Sequence, residues 1–210
     1  MMNKEGRNFD REAAAWDLNP GRVKVAADIA QTILSQIKLT PDMDVLDFGC
    51  GTGLLTLALQ PFVRSITGVD SSPGMLGVLQ NKISDRHLKN VNVLPLDLEQ
   101  GGILQGCFHL IVSSMTLHHI KAIEPLFAQF HHALYPSGLV CIADLDPEGG
   151  QFHSSPDGVF HHGFEREAMR RTLLEAGFQD IRMMQAAQIE KPVDDHQTRV
   201  FTVFLITGRR

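Results

Sequence analysis

The sequence predicts an α/β protein built on a mostly parallel sheet with helices against both faces, and three observations carry that expectation. Short apolar segments alternate with helical patterns through the first half of the chain, the order that builds βαβ units. Val45-Leu46-Asp47-Phe48 runs into Gly49-Cys50-Gly51-Thr52-Gly53 and then the helix start Leu54-Leu55, which reads as a buried strand entering a tight turn. Phe108-His109-Leu110-Ile111-Val112-Ser113-Ser114 is almost continuously apolar, as strands covered on both faces are.

The elements follow in order. Phe9 to Asp17 is a short amphipathic segment closed by the turn signal Leu18-Asn19-Pro20-Gly21. Val25, Ile29, Ile33 and Ile37 recur every four residues and predict a helix over 22–37, ended by Thr40-Pro41-Asp42. The first strand and its glycine turn lead into a crossover helix that Pro61 shortens or bends. Ile66-Thr67-Gly68-Val69 is the second strand and ends in Asp70. Ser72 then caps a helix with Pro73 in its first turn. Val91 to Leu96 is a third strand, followed by Asp97, and Phe108 to Ser114 the fourth. A helix over 123–134 reaches the turn Tyr135-Pro136-Ser137-Gly138, and Leu139 to Asp144 is the fifth strand. Residues 146–163 form the least regular stretch, rich in Gly, Pro and His, and a loop of that length is more often functional than idle. Phe164 to Ala176 is a helix ending at Gly177, and two final strands, about 178–187 and 198–207, are joined through Lys191-Pro192-Val193-Asp194-Asp195.

Composition narrows the function. The 210 residues, 43% apolar, suffice for one core and fit one domain better than two. Net charge is −5 and no basic run exceeds two residues, which argues against a nucleic-acid backbone as partner. Met1 to Arg7 lacks the apolar core of a signal peptide and no membrane-length apolar run occurs, so a cytoplasmic location is expected. Cys50, Cys107 and Cys141 suit neither a disulfide framework nor a zinc site.

The turn chemistry selects a ligand. G-x-G-x-x-G fails because Leu54 stands where the last glycine would fall, and no Gly-Lys-Ser or Gly-Lys-Thr follows. Asp47, directly before the glycines, is a poor neighbour for pyrophosphate and a good one for a cationic amino group. Asp70 follows Gly49 by 21 residues, at the tip of the second strand, where a carboxylate accepts hydrogen bonds from both hydroxyls of a ribose. A nucleoside that carries positive charge satisfies both acids.

With Asp97 after the third strand, this pattern resembles the class I S-adenosylmethionine-dependent methyltransferases, and within them the small-molecule branch of ubiquinone and menaquinone methyltransferases. The resemblance runs from about Phe9 to Phe178 and is strongest over residues 45–120. It implies a Rossmann-like seven-stranded mixed sheet in the order 3-2-1-4-5-7-6 with the last strand antiparallel. It also implies roles. Gly49, Cys50 and Gly51 pass close to the methionine part with Asp47 near its ammonium, and Asp70 holds the ribose. Ser71 and Met75 pack beside the adenine, Asp97 faces its amino group, and the main chain at Leu98 meets its ring edge. Ser113 and Met115 floor the sulfonium region. Phe9 to Asp17 is similar to the segment that closes the pocket in many small-molecule members. So residues 1–40 become lid and scaffold helix, 41–145 the cofactor half, and 146–210 the substrate side.

Met115-Thr116-Leu117-His118-His119 resembles the Leu-His-His turn of the same enzymes. His118, His119, His161 and His162 are the candidate proton acceptors, since their predicted positions face the pocket. No metal site is expected, because adjacent histidines point apart on a helix or strand and no His-x-x-x-His spacing occurs. A sulfonium methyl is already electrophilic, so the chain must chiefly hold a nucleophile in line behind it. Positioning of that kind supplies up to about 7–11 kcal/mol of a barrier. The expected function is methyl transfer to O, N, S or C of a small-molecule acceptor by a monomer or homodimer acting without nucleic acid or membrane. S-adenosylhomocysteine is the product. Two rivals stay open: a nicotinamide oxidoreductase, and a module that binds the cofactor without turnover.

Overall fold

The computed structural model describes residues 8–98, 100–192 and 197–210. Residues 1–7, and Val193, Asp194 and Asp195 of the last connection, lie outside them. In chain order the elements are α1 (Phe9–Glu12), a 3-10 turn (Ala13–Leu18), α2 (Pro20–Gln36), β1 (Asp44–Phe48), α3 (Leu54–Leu59), β2 (Ser65–Asp70), α4 (Pro73–Asp85) and β3 (Val91–Pro95). They continue with β4 (Phe108–Ser114), a 3-10 turn (Leu117–His119), α5 (Ile123–Ala133), β5 (Leu134–Leu145), α6 (Arg166–Glu175), β6 (Gln179–Pro192) and β7 (Thr198–Arg209).

The strands form one sheet in the order β3-β2-β1-β4-β5-β7-β6. β1 to β5 run parallel, and β7 pairs antiparallel with both β5 and β6. Because side chains alternate along a strand, neighbouring residues feed opposite cores. Val45, Leu110 and Val112 pack with α2, α3 and α4 through Ile29, Leu55 and Leu79. Leu46, Ile111 and Ile142 pack with α5 and α6 through Phe127, Phe130 and Leu173 on the other face.

Proline and glycine act where the sequence places them, with one difference in extent. α3 stops at Leu59 and Pro61 sits in a 3-10 turn over Gln60–Phe62. Tyr135-Pro136-Ser137-Gly138 is a bulge inside β5 rather than a turn ahead of it: Phe108 pairs with Leu134 and Leu110 with Leu139, so the extra residues loop out between two registered pairs. β7 lies inside the sheet, and Val203 to Ile206 are accordingly buried on both faces.

Order of the strands reverses between β1 and β4, the point at which an open α/β sheet leaves a crevice beyond its carboxyl ends. The glycine turn, the tip of β2 and the end of β4 all meet there.

Candidate active site

A cavity of about 910 Å³ opens at that crevice. Its inner wall is the loop after β1. Gly49 N and Cys50 N both donate to the carbonyl of Val69, at 2.8 and 3.0 Å, which fastens the turn to β2. Gly49 and Gly51 have φ of +71° and +53°, the left-handed region that a side chain disfavours. A Cβ on Gly49 would meet Thr116 at 2.2 Å, whereas one on Gly51 would meet nothing within 4 Å. Gly49 is thus required by packing, and Gly51 leaves bare backbone facing the cavity.

Two carboxylates flank this turn. Asp47 is buried and accepts from the Thr56 hydroxyl at 2.5 Å. Loss of water pushes its carboxyl up to about 7, with Asp70 adding to the rise and Thr56 opposing it. Asp70 accepts from Gly51 N at 2.8 Å and from Ser72 N at 2.9 Å. Burial raises its pKa as well, against those backbone donors. Two partly desolvated acids beside a concave wall are a site for positive charge and for hydroxyl donors.

Cys50, Ser71, Met75, Asp97 and Leu98 also line the cavity. Burial drives the Cys50 thiol well above its usual range, so it stays protonated. Ser113 does not reach the wall. Its hydroxyl donates to the carbonyl of Phe48 at 2.9 Å, inside the sheet, while Ser114 and Met115 line the cavity in its place. Strand parity separates Ser113 from Ser114, and Met115, just past the end of β4 with φ of +55°, leaves the alternation and faces the cavity too.

The N-terminal segment closes one side, and two aspartates hold it. Asp10 accepts from the Ser72 hydroxyl at 2.5 Å and Gly74 N at 2.7 Å, contacts that lower its pKa. Asp17 accepts from the Thr52 hydroxyl at 2.6 Å and pairs with Lys82 at 2.5 Å. Trp16 carries the Arg22 guanidinium 3.7 Å from its ring centre, and Phe9 meets the His119 ring edge-on at 5.1 Å.

The opposite side is the irregular loop, of which Phe152, His153 and Phe160 face the cavity together with His118 and His119. His161 and His162 stand outside the wall. His161 Nε2 donates to the carbonyl of Ile120 at 2.8 Å and its ring packs on Phe164; His162 is half exposed beside Glu148. The expectation that both face the pocket is therefore corrected: the loop's main chain folds back on His118, whose carbonyl accepts from Phe160 N and His161 N, and turns those imidazoles away.

Neighbouring histidines were also expected to diverge. His118 and His119 instead sit on a 3-10 turn with ring centres 4.2 Å apart, because each is tethered through Nδ1, to Asp144 at 2.7 Å and to the carbonyl of Gly158 at 2.6 Å. Asp144 is fully buried. Burial raises its pKa, but the His118 ring and several N–H donors outweigh that and hold the carboxyl below its ordinary value. Sequence reading missed Asp144 as a site residue, although it stands one residue before the end of β5, much as Asp70 ends β2. His153 had only its place in a long loop to mark it.

Fold and cavity together define a class: an α/β protein whose cavity, at the switch point of its sheet, suits a nucleoside with a cationic arm. Residues 45–138 match the methyltransferase domain family. An uncharacterised methyltransferase of Schizosaccharomyces pombe is 30% identical over 189 residues, covering 83% of this chain and 66% of that one. A malonyl-[acyl-carrier protein] O-methyltransferase of Laribacter hongkongensis is 30% identical over 186 residues, covering 81% and 62%. The chain thus spans somewhat less than two thirds of the length of these relatives.

Solved structures agree on the fold. A methyltransferase of Haloferax volcanii bound to the Trm112 activator superposes with a TM-score of 0.77 at 16% identity, covering 98% of this chain and 99% of that one. Phosphoethanolamine N-methyltransferase 2 of Haemonchus contortus, solved with S-adenosyl-L-methionine, gives 0.68 at 17% identity, with 100% and 61% covered. The chain thus carries a methyltransferase domain over residues 45–138, on a fold that holds S-adenosyl-L-methionine in the Haemonchus contortus structure. The dinucleotide alternative falls with that assignment. Among the described residues no helix is long and apolar enough to cross a membrane.

Proposed function

We propose that this protein transfers the methyl group of S-adenosylmethionine to a nucleophilic atom of a small-molecule acceptor. The observation that carries the reading is the continuity of one cavity from the Asp47, Gly51 and Asp70 cradle to an aromatic and imidazole end formed by Phe9, Trp16, His118, His119 and Phe152. When bound, the cofactor supplies a sulfonium methyl that needs only a nucleophile in line with the carbon–sulfur bond. The chain supplies the rest. Asp47 holds the ammonium, Asp70 the ribose hydroxyls, and Ser71, Met75, Asp97 and Leu98 the adenine. Bare backbone at Gly51 lets the ligand approach, and Phe9 and Trp16 keep water from the acceptor end.

Of the four histidines considered as proton acceptors, His118 and His119 border this end and are the ones the reading retains. The small-molecule class rests on the enclosing loop and on the acidic net charge of −5. Relatives named as malonyl-[acyl-carrier protein] O-methyltransferases favour oxygen acceptors for the first screen. We treat residues 1–210 as one working unit, a cytoplasmic monomer or homodimer with its three cysteines as free thiols.

The test is transfer of a labelled methyl group from S-adenosylmethionine to a panel of carboxylates, phenols, amines and thiols. Formation of S-adenosylhomocysteine together with one methylated acceptor class supports the proposal. Tight cofactor binding with no transfer to any acceptor in the panel would favour the non-catalytic module.

A further inference from the structure

The acceptor end holds a group of side chains that methyl transfer does not by itself require. His118, His119 and His153 each offer a ring nitrogen, and these three atoms lie within 4.8 Å of one another. The ring centres stand 4.2 Å apart for 118 and 119, 4.9 Å for 118 and 153, and 5.6 Å for 119 and 153. Three imidazoles bound to one ion at about 2.1 Å in tetrahedral directions set their ring centres about 5 Å apart. The triangle already present has that size.

Tautomers are set for ligation as well. Nδ1 of His118 donates to Asp144 and Nδ1 of His119 donates to the carbonyl of Gly158. A carboxylate or a carbonyl can only accept, so each neutral ring carries its lone pair on Nε2. Asp144 is itself fixed by backbone donors, with Leu117 N at 2.9 Å and Leu145 N at 2.7 Å. A histidine oriented through its second nitrogen by a carboxylate or carbonyl is the usual support of a metal ligand.

We propose that His118, His119 and His153 bind one divalent transition-metal ion, with an open coordination position toward the cavity. Three neutral nitrogens suit Zn²⁺, Fe²⁺ or Co²⁺; Mg²⁺ and Ca²⁺ call for oxygen ligands. Resting on the methyltransferase reading, the site names the acceptor class: an oxygen or sulfur nucleophile that ligates the ion as an anion. With the ion bound, it replaces His118 and His119 as the means of deprotonation: the acceptor's proton passes to solvent as the acceptor binds, because the ion's charge lowers its pKa. Its remaining lone pair then forms the bond to the methyl carbon while the carbon–sulfur pair returns to sulfur. No oxidant or reductant enters.

The experiment uses tag-free protein stripped with a chelator and titrated with Co²⁺, without any S-adenosyl ligand, while visible absorption is recorded. Thermal shifts with S-adenosylhomocysteine are measured on the same preparations. The proposal expects a visible band that saturates at one equivalent and is displaced by Zn²⁺. Binding should weaken at least tenfold in His119→Ala and in His153→Ala and stay unchanged in His132→Ala, a surface position on α5. Absence of a saturable band, or equal affinity in His153→Ala and wild type, overturns it. Loss of the band with the S-adenosylhomocysteine shift intact removes the metal site alone; the converse removes the methyltransferase reading alone.

Discussion

Asp47 is where the residue-scale chemistry concentrates. Its carboxyl, pushed to about 7 by burial, is largely protonated in the empty pocket below that pH, and only the ionised form attracts an ammonium. Affinity for S-adenosylhomocysteine should therefore rise as pH increases through 7 and level off above it. Stability runs the other way. The native state keeps a proton that the unfolded chain releases near pH 4, so this group favours folding below that pH, and the advantage is lost as pH rises toward 7. Asp47→Asn should raise the stability of the ligand-free protein at pH 8, weaken binding, and flatten its pH dependence, as denaturant titration and calorimetry would read. Asp70→Ala should weaken binding by about 1.5–3 kcal/mol, the scale of a hydrogen bond to a charged group. Unchanged affinity in a folded variant would remove Asp70 from the ribose. These acids and the glycines were legible because glycine spacing and strand-tip acids carry their chemistry in residue type. Ser113 was misread for want of one bit, the parity of β4. His161 and His162 were misread because a loop without periodicity does not reveal which way its side chains turn.

At the scale of elements, the N-terminal segment and α4 form one device. Ser72 caps α4 by accepting from Met75 N at 3.1 Å and donates its hydroxyl to Asp10. The cap, the lid and the tip of β2 are thus joined at one residue. Ser72→Ala should cost about 1 kcal/mol of stability, the usual loss for an N-cap. It should also speed release of S-adenosylhomocysteine in stopped-flow fluorescence of Trp16, because the lid loses one of its ties to α4, leaving Gly74 N on Asp10 and the Asp17–Lys82 pair. A stability loss with an unchanged release rate would leave Ser72 as a cap only. The Ser-Pro start of this helix was readable from sequence, as was α2 from its four-residue steps. The tie to Asp10 was not, since 62 residues separate the partners. The bulge in β5 was hidden for a related reason: Pro136 and Gly138 signal a turn, but only the pairing with β4 shows it lies between two registered pairs.

Across the whole molecule, the sheet gathers the ends of β1, β2 and β4 at a single point and places two cores behind them. Alternating elements made the α/β class evident, but periodicity alone does not order strands. The order came from resemblance, because strand neighbours are long-range contacts that no local pattern encodes. The same limit applies to the histidine cluster, which joins the turn after β4 to a loop more than thirty residues on.

The cradle is the central claim, and a thermal shift tests it most directly. Purified protein is heated with S-adenosylmethionine, S-adenosylhomocysteine, NAD or NADP. A ligand that binds only the folded state raises the midpoint, by about 2.7 kcal/mol of added stability at one hundred times its Kd. The account predicts a rise with the two S-adenosyl compounds and none with the dinucleotides; a rise with NAD or NADP alone would contradict it.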